Sequence, residues 1–182
     1  TLTPKPQAGN PKPRLFRLKA DAAIVNRMGF NNDGYAAAKA RLLTTRRRAI
    51  LGVNIGPNKD AADRVADYVA GIETFAELAD YFTINISSPN TPGLRNLHAR
   101  SDFAALVEAV LAARDRAAVR RPVLVKIAPD LDEAALDDVL AVALEARIDG
   151  LIVSNTSVGR PATLRSAEAR ESCGLSGRPI FD

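Results

Sequence analysis

Tyr81-Phe82-Thr83-Ile84-Asn85-Ile86-Ser87-Ser88-Pro89-Asn90-Thr91-Pro92-Gly93-Leu94-Arg95 is the stretch on which the reading of this chain turns. Tyr81 to Ile84 is apolar and suits a buried β-strand, whereas the run from Asn85 is polar, stiffened by proline and rich in hydrogen-bonding side chains. A strand that opens into Asn, Ser, Asn and Thr delivers amides and hydroxyls to one small volume, which suits recognition of a planar, polar small molecule. The chain reads as an enzyme.

The same pattern repeats on both sides. Ala49 to Ile55 is a short apolar strand ending in Asn54 and Gly56, and a helix is expected near Asp60 to Ala70 with Val65, Tyr68 and Val69 on one face. After the quoted run, Ser101 is placed to cap a helix whose Phe103, Leu106, Val107, Val110 and Leu111 recur at i, i+3, i+4, i+7 and i+8. Pro122 to Ile127 supplies the next strand, and Leu136, Val139, Leu140, Ala143 and Leu144 mark the apolar face of the helix after it. Gly150 to Val153 is a further strand, followed by Ser154-Asn155-Thr156.

Continuous apolar strands separated by amphipathic helices imply parallel strands covered by helices. Each ends in polar residues, at Asn54, Asn85 with Ser88, Lys126, and Ser154 to Thr156. Polar groups at the carboxyl ends of successive parallel strands are what a (β/α)8 TIM barrel uses to build its active face. A doubly wound sheet also binds ligands at strand ends, but the glycine-rich phosphate turn expected after its first strand is not seen. A whole barrel has about eight strand–helix units, and roughly four are clear here. With an abrupt start at Thr1 and an abrupt stop at Asp182, the chain reads as part of a barrel, one domain over residues 1–182 with no second domain.

Ahead of the periodic region, prolines at 4, 6, 11 and 13 forbid a helix interior between Thr3 and Arg14 and argue for an extended excursion. Leu15 to Leu18 and Ala23 to Asn26 bracket the polar turn Lys19 to Asp21, which predicts a small β-hairpin within residues 13–26. Asn26 to Asn32 is a polar loop, and Asp33 to Leu43 has helical composition.

At 182 residues and 47% apolar content, the chain can bury a substantial core. A net charge of +4 could point to nucleic acid or an acidic membrane, yet only 5% of residues are aromatic. The densest basic run, Arg46-Arg47-Arg48, carries no interleaved aromatics, so it reads as a solvated connection and no nucleic-acid partner is expected. One cysteine, Cys173, forbids an internal disulfide, no Cys/His cluster has zinc spacing, and a reducing cytosolic setting fits. There is no signal peptide, and no apolar run nears the roughly 20 residues that span a bilayer. His98, the sole histidine, reads as a surface loop residue rather than a base.

Six segments together carry a resemblance: Asn26 to Phe30, Gly52 to Gly56, Asn85 to Thr91, Val125 to Asp130, Ser154 to Thr156 and Gly174 to Gly177. In order and spacing they resemble the dihydroorotate dehydrogenases, more narrowly the quinone-dependent class 2 enzymes of pyrimidine biosynthesis, from Thr1 to Pro179. The resemblance implies an FMN-containing barrel in which (S)-dihydroorotate loses a proton from C5 to a base and a hydride from C6 to the flavin, giving orotate. It implies a quinone as electron acceptor, a peripheral contact with the cytoplasmic side of the cell membrane through a further N-terminal segment, and a monomer. Two other readings are a non-catalytic binding barrel and an FMN barrel oxidoreductase acting on a related pyrimidine.

By the same resemblance, Ser88 occupies the base position, and Thr91 with Phe30 flanks the water that takes up the proton. A serine hydroxyl is a poor base at neutral pH, so it needs such an acceptor; class 1 enzymes place a readily ionised cysteine there. Asn26, Asn85, Asn90, Asn155 and Thr156, with the backbone of Arg27, Met28, Gly29 and Phe30, match the substrate ligands. Thr1, Asn54, Asn85, Lys126, Ser154 and Gly177 match the FMN ligands, Lys126 at the N1/C2 carbonyl side of the flavin. Cys173 stands where the family commonly has glycine and reads as structural.

Overall fold

The strand that starts at Tyr81 is hydrogen-bonded on both sides and forms the centre of a parallel sheet. In the computed structural model, which describes residues 1–46, 49–90, 94 and 99–181, the elements in chain order are β1 (Leu15–Leu18), β2 (Ala23–Asn26), α1 (Gly34–Thr44), β3 (Gly52–Ile55), α2 (Arg64–Phe75), β4 (Tyr81–Asn85), α3 (Arg100–Arg116), β5 (Val123–Lys126), α4 (Glu133–Glu145), β6 (Gly150–Ile152) and β7 (Gly174–Gly177). Strands β3-β4-β5-β6 pair in sequence order, all parallel. Leu2 extends the sheet past β3 through a parallel bridge to Ile55.

Side chains alternate across a strand, so β4 turns Phe82 and Ile84 to the helices while Thr83 and Asn85 face the opposite side. All four are buried. Tyr68, Ile72 and Phe75 of α2, Phe103, Leu106 and Val110 of α3, and Val139 and Val142 of α4 close over Phe82, Ile84, Val123 and Val125 in one apolar core. Tyr35 of α1 joins it edge-to-face with Phe75, ring centroids 5.4 Å apart. Each helix packs beside the next, α1 on α2, α2 on α3 and α3 on α4, as in successive units of a barrel.

A second sheet lies apart from this one. The expected hairpin forms, with Leu15 opposite Asn26 and Leu18 opposite Ala23. It is completed by β7, antiparallel to β2, with Asn26 opposite Gly174 and Ala23 opposite Gly177. Its core consists of Leu18, Ala23, Val25 and Leu175. Polar ties supplement it: the Asp21 carboxylate accepts from the backbone N–H groups of Arg165 and Ser166, both at 2.9 Å. Hydrogen bonding from Ser166, then from Arg165, holds that carboxyl below its ordinary range.

Several boundaries differ from the sequence reading. The strand expected from Ala49 begins at Gly52, because Leu51 N–H is taken by the Asp80 carboxylate at 2.7 Å and Ile50 is 81% exposed. Helix α2 begins after Asp63, whose side chain caps Ala66 N–H at 3.0 Å, and it runs to Phe75. Ser101 is no cap: Ala99 C=O already accepts from Phe103 N–H at 2.8 Å, which leaves Ser101 in the first turn. On α4, Val139, Val142 and Ala143 are buried, while Leu136, Leu140 and Leu144 are 37%, 39% and 77% exposed, so the packed stripe is rotated from the expected one. Strand β6 stops at Ile152, and Val153 is exposed. Gly174 to Gly177 had no strand signal of its own; pairing with β2 makes it one.

Candidate active site

The carboxyl ends of the parallel strands open toward the end of β2. Asn54 comes from β3, Asn85 from the end of β4, Ser88 and Asn90 from the segment after it, Lys126 from β5, and Asn155 and Thr156 from the segment after β6. From the other side come Asn26 at the end of β2 and Met28, Gly29 and Phe30 beyond it. With Thr1 they line one cavity of about 270 Å3.

The amides form a linked array. Asn85 Nδ2 donates to Thr1 Oγ1 at 2.9 Å, and Thr1 Oγ1 donates to Asn54 Oδ1 at 2.9 Å. Asn155 Nδ2 donates to Ser87 Oγ at 3.0 Å and to Asn85 Oδ1 at 3.3 Å. Across the cavity, Asn90 Nδ2 donates to Asn26 Oδ1 at 3.3 Å, which joins the two sheets. Asn90 Oδ1 is the one buried side-chain polar atom without a partner among the described residues. An orphaned buried acceptor costs on the order of 1–3 kcal/mol, so this oxygen suits an N–H group of a bound ligand.

Ser88 is 4% exposed, and its Oγ accepts from Asn90 N–H at 3.2 Å. Lys126 lies opposite Asn85 in the β4–β5 register, which brings its ammonium to the same mouth. Phe30 has φ +53°, and its ring packs where Gly56 has no Cβ.

Other expected residues lie elsewhere. Arg27, expected only through its backbone, is not among the cavity's lining residues, and its side chain turns away: Nη1 pairs with Glu171 Oε2 at 2.7 Å, and the guanidinium sits 4.7 Å over the Phe16 ring. Ser154 does not line the cavity, and its Oγ donates to Asn155 C=O at 3.3 Å. Gly177 borders a separate open hollow with Arg17, Ala22, Ile24 and Ser176. Thr91 and His98 lie outside the described residues. Cys173 has φ +100°, a conformation that glycine adopts freely and L side chains rarely do.

Sequence reasoning passed over the residues that hold this site in shape. Ser87 is fully buried and donates to Asn85 Oδ1 at 3.2 Å while accepting from Asn155. The Tyr68 hydroxyl donates to Asn85 C=O at 2.7 Å, and burial pushes its pKa well above the ordinary tyrosine value. Ser157 Oγ donates to the Asp130 carboxylate, which also accepts from Val158 N–H at 3.1 Å. Ser157 pairs with Leu175 of β7 through N–H···O bonds of 2.9 and 2.7 Å, and Thr156 packs where Gly174 lacks a side chain. The segment bearing Asn155 and Thr156 is thus gripped from the loop after β5 and from β7 together. Apart from the contact of Ser87 with Asn85, these partners are set by contacts distant in the chain and have no local sequence signal.

A family profile described as dihydroorotate dehydrogenase matches residues 1–182. The whole chain is 60% identical to a dihydroorotate dehydrogenase (quinone) of Sinorhizobium fredii and 57% identical to one of Mesorhizobium japonicum, covering 51% of each. It therefore spans about half the length of the curated relatives it matches. Among solved structures, the ligand-free DHODH of Eimeria tenella superposes with a TM-score of 0.94 at 42% identity, over 99% of this chain and 56% of that one.

Proposed function

The chain belongs to the dihydroorotate dehydrogenase family, and we propose that it oxidises (S)-dihydroorotate to orotate in pyrimidine biosynthesis, with FMN as bound redox cofactor and a quinone as electron acceptor. The observation that carries this reading is the Ser88 oxygen, buried in a cavity where Asn26, Asn85, Asn90, Asn155 and Lys126 converge.

The residues present fit both ligands. A pyrimidine edge alternates N–H and C=O groups, and carboxamides supply the complement of each. Asn90 Oδ1, buried and unpartnered, is an acceptor ready for such an edge. Asn54, Asn85, Lys126 and Thr1 are the proposed holders of the cofactor, with Ser154 and Gly177 as further contacts beyond the cavity. When bound, FMN supplies acceptance of the hydride. The protein does the rest. Asn26, Asn85, Asn90, Asn155 and Thr156 hold the substrate ring, and Ser88 Oγ receives the C5 proton while passing its own to a water. Phe30 and Thr91 are proposed to confine that water. Burial of Ser88 excludes bulk solvent from the transfer, and the Lys126 ammonium favours negative charge at the mouth of the site.

A quinone acceptor is lipid-soluble, so we propose that the protein meets the cytoplasmic side of the cell membrane peripherally; we propose separately that it is a monomer, as the family resemblance implies. No helix of the described residues is long and apolar enough to cross one. The deciding experiment is anaerobic mixing of the flavin-loaded protein with dihydroorotate, followed through the flavin's visible absorbance. Bleaching, reversed by a soluble quinone, is expected; flavin that stays oxidised would sink the reading.

A further inference from the structure

The proline-rich segment before β1 touches no face of the cavity, yet it approaches the Met28–Phe30 wall closely. Gly9 and Gly29 both have positive φ, at 78° and 71°, and neither has room for a side chain: a Cβ on Gly9 would strike Met28 C=O, and one on Gly29 would lie 2.9 Å from Asn10 N. Four consecutive carbonyls of the wall are capped from this outer side or from just beyond it. Asn10 Nδ2 donates to Arg27 C=O at 3.0 Å, Asn10 N–H to Met28 C=O at 3.1 Å, Gln7 Nε2 to Gly29 C=O at 2.9 Å, and Asn32 Nδ2 to Phe30 C=O at 2.8 Å. The caps are themselves anchored. Gln7 Oε1 accepts from Lys59 N–H at 2.8 Å and from buried Asn58 at 3.2 Å, and Asn32 Oδ1 accepts from Gly34 N–H at 2.8 Å.

In a trans peptide the N–H points opposite to the C=O of the same unit. With Met28 C=O and Gly29 C=O drawn outward to Asn10 and Gln7, the N–H groups of Gly29 and Phe30 are turned the other way, and both residues line the cavity. We propose that Gln7 and Asn10 are positioning residues, which aim the Gly29 and Phe30 N–H groups at a hydrogen-bond-accepting edge of the substrate. The proline-rich excursion is thereby a brace for the binding wall. This inference rests on the dihydroorotate reading above.

The test uses the flavin-loaded protein and the near-isosteric Gln7→Glu, which keeps the acceptor for Lys59 and Asn58 but cannot donate to Gly29 C=O. Asn10→Asp removes the donor to Arg27 C=O, the side-chain anchor that holds Asn10 N–H against Met28 C=O. Each is expected to raise KM for dihydroorotate and Kd for orotate about tenfold, roughly the effect of one misplaced hydrogen bond. The rate of flavin reduction at saturating substrate, the flavin content and the Tm should stay near those of the unaltered protein. Unchanged KM and Kd in both variants would overturn the proposal, and so would flavin loss and a lowered Tm in step with weaker binding. If the unaltered protein binds orotate but is not reduced by dihydroorotate, the functional reading fails, and the brace is judged on orotate titration alone.

Discussion

The two sheets that meet at the cavity are held by different forces. The parallel sheet β3 to β6 is closed by helices over one continuous apolar core, with Tyr68, Phe75, Phe82 and Phe103 fully buried. The β1-β2-β7 sheet buries only Leu18, Ala23, Val25 and Leu175 and depends on polar ties such as Asp21 with Arg165 and Ser166, and Arg27 with Glu171. Arg160 strengthens it from below, donating to the carbonyls of Glu171 and Cys173 at 2.7 and 2.8 Å. The stiff side presents side chains for chemistry, at Asn85, Ser88 and Lys126. The tied side presents Asn26 and a backbone wall, whose shape depends on directional hydrogen bonds. Apolar packing tolerates small shifts, whereas a hydrogen bond loses strength with modest misalignment, so damage to the two sides should appear in different measurements.

The largest effect is expected at the chemical group of the stiff side. Ser88→Ala should slow flavin reduction by dihydroorotate roughly 10²- to 10⁴-fold, the usual worth of a proton-transfer group, with little change in orotate affinity. Stopped-flow absorbance would show it, and a rate near that of the unaltered protein would remove Ser88 from the mechanism. Next, Phe82→Ala should cost about 3–5 kcal/mol and lower the denaturant midpoint of the whole chain. Leu18→Ala should cost about 2–4 kcal/mol by the same cavity logic, but with hydrogen-exchange protection lost first in β1, β2 and β7. Equal loss of protection in both sheets would show that they unfold as one unit and erase the contrast.

Asp130→Leu tests the grip that spans the two sides. An apolar side chain offers no acceptor to Ser157 Oγ or Val158 N–H, so both bonds are lost, at about 1 kcal/mol each. Orotate affinity should fall several-fold with kcat nearly unchanged, and Ser157→Ala added to it should bring little more, because the bond from Ser157 to Asp130 is already gone. Additive losses would show that the two act separately. The smallest effect is acid loosening of the tied sheet. Hydrogen bonds from Ser166 and Arg165 lower the folded-state pKa of Asp21, so its stabilising contribution is complete above the ordinary value near 3.9 and fades as pH falls through the lowered one. Below about pH 4, limited proteolysis should cut first near Lys19 to Asp21, and Asp21→Asn should abolish that acid dependence.

How much of this was legible in the sequence follows from the range of the forces involved. The four parallel strands, the hairpin and the polar strand ends could be read directly, because apolar periodicity, proline and turn residues act within a few positions of the chain. So could the convergence of Asn54, Asn85, Lys126 and Asn155, since parallel strands deliver their carboxyl ends to one side. The start of β3 slipped because a distant group, Asp80, took Leu51 N–H, whereas the start of α2 was set by a local cap, Asp63, that the helical periodicity did not reveal.

Tertiary structure alone decided the rest. Gly174 to Gly177 is a strand only because β2 lies beside it, and Leu136, Leu140 and Leu144 stand exposed because α4 is turned to bury Val139, Val142 and Ala143. The orphaned oxygen of Asn90, the grip of Asp130 on Ser157 and the capping of the binding wall by Gln7, Asn10 and Asn32 are likewise invisible in one dimension. Local composition determines which elements form and which residue types reach the strand ends. The amide array that joins Thr1, Asn54, Asn85, Asn155, Asn26 and Asn90 is oriented by partners brought together from far along the chain when the two sheets close on the cavity.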